Sequence, residues 1–237
     1  MNTHEQNPSM RIKVWDPLVR FGHWALVAAF VTAYLSAEEL LQVHVWAGYT
    51  VIAIVVIRLI WGLIGTPHAR FSDFMYGPGV ILAYLRGLLS GHAKRYLGHS
   101  PAGAAMMALL LLGLLGTTGS GLMLYAYEEN AGPLAGYVTA GATPGDGFFI
   151  ATAAANGDDD DEDEAHEYEA KAGREGHGDA AESREAFWEE THEAFVNGML
   201  VLIALHIGGV LWASLMHREN LVAAMIHGRK SGPESGV

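Results

Sequence analysis

Four histidines carry most of the chemistry that this sequence offers: His23, His44, His192 and His206. Each lies within or at the edge of a long apolar stretch, where an ionisable side chain is costly and usually faces a partner or a cofactor. His192 and His206 stand 14 residues apart. At about 100° per residue, a helix returns them to within about 40° of the same face, about 21 Å apart along its axis. One helix thus offers two imidazoles on one side, at two depths. His44 matches His192 in depth, and His23 matches His206, so the four fall into two co-level pairs.

A neutral imidazole is a good axial ligand to haem iron, and a pair fills both axial positions. The chain has no cysteine, which excludes disulfides, thiolate zinc sites, iron–sulfur clusters and covalently attached c-type haem. Taken singly, each histidine also fits a polar contact between helices or a surface position at a helix end. Zinc fits less well, because it needs about four converging ligands, whereas these residues arrive in twos. Arg58 lies 14 residues after His44, so it shares that face at the other level. There it is a candidate for a bidentate contact with a haem propionate, or it snorkels to the membrane surface. Arg20, one turn before His23, is a candidate for the other propionate. Gly22, Gly48, Gly198, Gly208 and Gly209 either admit a flat macrocycle or allow ordinary close helix packing. No catalytic residue stands out.

These residues need helices that cross a bilayer. The chain has 237 residues, is 51% hydrophobic and has a mean hydropathy of +0.19, values that fit a membrane bundle with one sizeable polar insertion. Four stretches are long enough to span, at about 20 residues each: roughly Leu18 to Ala37, His44 to Ile64, Ala102 to Tyr125 and Phe187 to Met216. In lipid the backbone must satisfy itself, so these are helices, and the expected fold is an all-α integral membrane four-helix bundle. The organisation expected is residues 1–125 for the first three spans with their connections, 126–186 for an acidic insertion, and 187–237 for the fourth span and tail.

The net charge of −12 is concentrated between Tyr127 and Glu190, including the run from Asp158 to Glu164. Lysine and arginine favour the other side: Arg11, Lys13 and Arg20, then Arg70, Arg86, Lys94 and Arg95, then Arg218, Arg229 and Lys230. The insertion has only Lys171, Arg174 and Arg184. Both termini are therefore expected in the cytoplasm and the insertion in the periplasm. The polar first ten residues do not resemble a cleavable signal, so the first apolar segment is expected to stay as an anchor. Pro78–Leu89 and Asn220–His227 read as short amphipathic helices on the cytoplasmic surface. The acidic insertion reads as largely disordered or loosely helical, with His166 and His177 as candidate metal contacts among its carboxylates. His99 reads as a quinone contact, a proton-delivery group or a helix cap.

The segments DPLVRFGHW around His23, HVWAGY with His44, RLIWGLIG, ARFSDF, GHSPAGA and the closing HEAFVNGMLVLIALH together resemble the bacterial cytochrome b561 and hydrogenase-type cytochrome b superfamily. The resemblance covers all four spans and their cytoplasmic connections; the long acidic insertion departs from it. It implies a di-haem protein of the bacterial inner membrane that exchanges electrons with quinone. His23 and His206 would hold the cytoplasmic-side haem b, and His44 and His192 the outer one. The implied function is electron transfer between quinone or quinol and a periplasmic redox partner, most simply a c-type cytochrome. The acid run points to a basic partner, or serves as a solubilising spacer. Two other functions stay open: a membrane anchor of a larger, hydrogenase-like oxidoreductase, and a superoxide:quinone oxidoreductase. Lipid and quinone are expected contacts, assembly into homo- or hetero-oligomers is compatible with the sequence, and nucleic acid is not an expected partner.

Overall fold

The computed structural model describes residues 11–13, 16–66, 69–73, 75–92, 96, 100–140, 163–217 and 220–231. Its first membrane helix, α1 (Pro17–Ser36), starts where Asp16 accepts from the Leu18 N–H at 2.8 Å. Pro17 opens the helix with its φ already suited to it. After a short turn, α2 (Leu41–Ile64) runs back along α1 and stops at Gly65, whose N–H bonds the Trp61 carbonyl at 2.7 Å. Thr66 then donates to the second oxygen of Asp16 at 2.8 Å. One carboxylate thus caps α1 and ties it to the end of α2, closing an antiparallel hairpin.

A single 3-10 turn (Phe71–Asp73) leads to α3 (Pro78–Leu89), followed by α4 (Pro101–Glu128) and a short α5 (Ala135–Ala140). The fourth long helix, α6, runs from Asp163 to His217. The last, α7 (Leu221–His227), is capped by Asn220 and ended by Gly228, whose φ of +77° suits glycine. Among the described residues the strands are β1 (Arg11–Lys13) and β2 (Arg229–Ser231), a small antiparallel ribbon with Ile12 opposite Lys230.

Four of these helices are long and apolar enough to cross a membrane: α1, α2, α4 and residues Glu182–Met216 of α6. The all-α expectation holds, and the short helices at Pro78–Leu89 and Leu221–His227 fall where hydropathy put them. The ends of the spans differ. The third span continues to Glu128, and the fourth belongs to a helix that begins at Asp163 rather than near Phe187. Polarity made that stretch read as insertion, yet alanine, glutamate, lysine and arginine are good helix formers. Once a helix is nucleated, adding such residues is cheap. The acid run at 158–162 and His99 lie outside the described residues.

The chain divides into two compact units, one of Met1–Leu115 with Gly198–Val237, the other of Gly116–Asn197. In the first, all four membrane helices contribute to a core: Ala29 from α1, Val51 and Val55 from α2, Leu114 from α4 and Met199 from α6. Gly113 lets Met199 approach, because a Cβ there would collide with the Met199 sulfur. Tyr84 of α3 is buried beside Tyr96, their ring centres 5.6 Å apart, and Tyr96 meets Tyr76 at 5.9 Å. Burial, and then the neighbouring Tyr96, push the Tyr76 phenol above its ordinary pKa. In the second unit, Gly116 admits Phe195, whose ring a Cβ would overlap. Large apolar side chains such as Leu63, Leu112 and Leu215 stand exposed on the helix surfaces. In water that would be an aggregation liability; a bilayer covers it.

Candidate functional site

His23 lies in the second turn of α1 and His206 in the distal part of α6, both in the first unit. Their ring centres are 6.5 Å apart, with the ring planes tilted by 54°. That distance has a simple reading. A metal–imidazole bond is about 2.0–2.1 Å, and each ring centre lies about 1.1 Å beyond its nitrogen, so two imidazoles on one metal ion have centres about 6.3 Å apart. Rotation about each metal–nitrogen bond leaves the tilt free, so 54° is compatible with a shared axis.

His23 also shows an unmet need. Its Nδ1 is buried and has no hydrogen-bond partner, and a polar atom left so costs about 1–3 kcal/mol. The imidazole is therefore not held in place as an ordinary core histidine, with both nitrogens satisfied by the protein.

His44 is held differently. Its Nδ1 lies 2.8 Å from the Ala33 carbonyl of α1. A carbonyl only accepts, so Nδ1 carries the proton, and in the neutral ring the lone pair lies on Nε2. Metal-bound histidines are oriented in this way, with the far N–H donated to a backbone oxygen. In the second unit His192 repeats the arrangement. Its Nδ1 lies 3.0 Å from the Thr117 carbonyl and 3.1 Å from Ser120 Oγ, both on α4. Gly121 makes room for the ring, since a Cβ there would stand 2.9 Å from His192 Cε1.

The two arginines have partners of their own. Arg58 donates to the Ala69 carbonyl at 3.0 Å and contacts the Met107 sulfur at 3.4 Å, with its guanidinium 5.1 Å from the centre of the Phe71 ring. It therefore anchors the segment after α2. Arg20 donates to the Met225 carbonyl at 3.3 Å and to the Ile226 carbonyl. Those are carbonyls of the last turn of α7, where the helix dipole favours a cation.

The glycines separate into two kinds. A Cβ at Gly22 would make ordinary contact with Ile54 at 3.8 Å, whereas Gly48, Gly198, Gly208 and Gly209 have nothing within 4 Å of that position. Close packing against another helix therefore does not account for those four. Among the described residues no group of three or more histidine, cysteine or acidic side chains is arranged to hold a metal ion.

The sequence pointed to the histidines but not to what orients them. Ala33 and Thr117 act through backbone carbonyls, which no side-chain pattern reveals. Ser120 and Gly121 had a faint signal in the small-residue run GTTGSG of α4.

No curated protein and no solved structure matches the chain. A family model described as prokaryotic cytochrome b561 does, over residues 14–228. That range takes in every membrane helix and all four intramembrane histidines. The family is one of haem b-binding membrane cytochromes of electron transfer. The chain belongs to the prokaryotic cytochrome b561 family.

Proposed function

We propose that this membrane cytochrome carries two b haems and moves electrons across the bacterial inner membrane, between quinone or quinol and a soluble periplasmic redox partner. The observation that carries the reading is the 6.5 Å separation of the His23 and His206 ring centres, which matches two imidazoles on one iron. Haem b supplies one-electron iron chemistry when bound.

The chain's residues do the rest. His23 and His206 would hold one haem on the cytoplasmic side, and His44 and His192 would hold the other on the periplasmic side. In the second pair each Nδ1–H is tied to a carbonyl, which fixes the tautomer and orients Nε2. Arg58 provides the cation for an inner propionate with the guanidinium donors that Ala69 leaves over. Arg20 is largely spent on α7, so it acts mainly by fixing that helix beside His23. Lysine and arginine flank the spans on the side of both termini, which supports placing the termini in the cytoplasm. On the periplasmic side Glu128, Glu129, Glu185 and Glu189 are close enough to repel one another. Such a concentration of charge attracts a basic partner, most simply a c-type cytochrome.

The test is a reduced-minus-oxidised spectrum with haem quantification, on wild type and on His206→Ala. Two non-covalent b haems per chain are expected, with loss of the inner one alone in the variant. A colourless protein, or one haem that survives His206→Ala unchanged, overturns the reading. Purification with a large tightly held subunit would shift it toward a membrane anchor.

A further inference from the structure

We propose that Ser120 is a positioning residue for the outer haem site: its hydroxyl shares the His192 Nδ1–H with the Thr117 carbonyl, setting the ring's orientation and the electron richness of Nε2. The proposal rests on the reading of His192 as a haem ligand.

Ser120 is 3% exposed. Its Oγ lies 2.8 Å from the Gly116 carbonyl, 3.0 Å from the Thr117 carbonyl and 3.1 Å from His192 Nδ1. A serine inside a helix usually spends its hydroxyl on the carbonyl one turn back; the contact to a histidine on another helix sets this one apart. The hydroxyl has one proton and two carbonyls in reach. The Thr117 carbonyl also accepts from His192 Nδ1 at 3.0 Å, so the Gly116 carbonyl, at the shorter distance, is the better outlet. Donating there polarises Oγ and leaves its lone pairs for the imidazole. The His192 N–H then has two acceptors in a three-centre bond.

Two consequences follow for a ligand. A ring held from two directions at Nδ1, with Gly121 against its Cε1 edge, has little freedom to rotate about the axis through Nε2. Two acceptors also draw the proton further from the ring than one does. That raises the basicity of Nε2 and favours the ferric iron. Removing the hydroxyl takes away one of these two acceptors and reduces both effects.

The experiment compares Ser120→Ala and Ser120→Thr with wild type as purified holoprotein. Redox potentiometry follows the visible spectrum, electron paramagnetic resonance reads the low-spin ferric signals, and the outer component is identified by its loss in His192→Ala. In Ser120→Ala both haems are expected to remain. The outer midpoint potential rises, its resonance shifts or broadens, and the inner haem is unchanged. Ser120→Thr, which keeps a hydroxyl, restores the wild-type values. An outer haem that titrates in Ser120→Ala as in wild type overturns the proposal. So does an equal shift in both variants, which would mark a packing effect. Wild type that holds no haem dependent on His192 defeats the ligand reading first, and the proposal with it.

Discussion

At Gly121 an added methyl group would stand 2.9 Å from His192 Cε1 and 3.2 Å from its Nδ1, closer than side chains normally approach. The ring would have to turn away, and the bond to the Thr117 carbonyl would be lost with it. Gly121→Ala should therefore lower the content of the outer haem severalfold while the inner one stays. Pyridine haemochrome assay against protein concentration checks this, and an unchanged ratio of two would count against the ligand role of His192. The histidines themselves were legible in the sequence, because an ionisable group in an apolar run is costly and draws attention. Their acceptors were not. Ala33 and Thr117 contribute carbonyl oxygens that every residue type has, and only the fold selects which carbonyl an imidazole meets. Arg58 shows the same limit: its contacts with Ala69, Met107 and Phe71 depend on how the chain turns after α2.

Among the elements, α7 is tied to α1 by Arg20. Arg20 reaches from α1 to the Met225 and Ile226 carbonyls, groups that a helix end leaves without internal partners. After allowance for solvent near these groups, the loss in Arg20→Ala should be about 1 kcal/mol of local stability, roughly a fivefold rise in the opened population. Trypsin cleavage at Arg229 and Lys230, followed by mass spectrometry, should speed up accordingly, and an unaltered rate would show that α7 is held by other contacts. The long helices were legible because a bilayer imposes length and hydropathy together, and α1, α2 and α4 begin within a few residues of where the apolar runs begin. The start of α6 was not. Its polar residues between Asp163 and Glu182 carry no span signal, and helix propensity alone is a weak guide without a neighbouring span to extend from.

For the whole molecule in the proposed reading, the net charge of −12 would govern encounter with a soluble partner. Reduction of a basic c-type cytochrome by the quinol-reduced protein should slow steeply between low and physiological ionic strength, as screening shortens the Debye length from about 30 Å to about 8 Å. Stopped-flow rates across a salt series check this; a flat series would leave the acidic residues as a solubilising spacer. The core of the first unit bears on what an electron does once aboard. Ala29, Val51, Val55, Leu114 and Met199 form a plug of apolar side chains. Among the described residues the buried polar ones are Ser36, Thr117 and Ser120, which sit near the His44 and His192 ends of their helices. Nothing in the plug can take up or release a proton. In the proposed reading, an electron that crosses the bilayer finds no proton carrier among these side chains, so each turnover would separate charge. The protein then acts as a small current source: it would build a voltage in a sealed vesicle, and a voltage already present, at about 2.3 kcal/mol per charge for each 100 mV, would push with or against it.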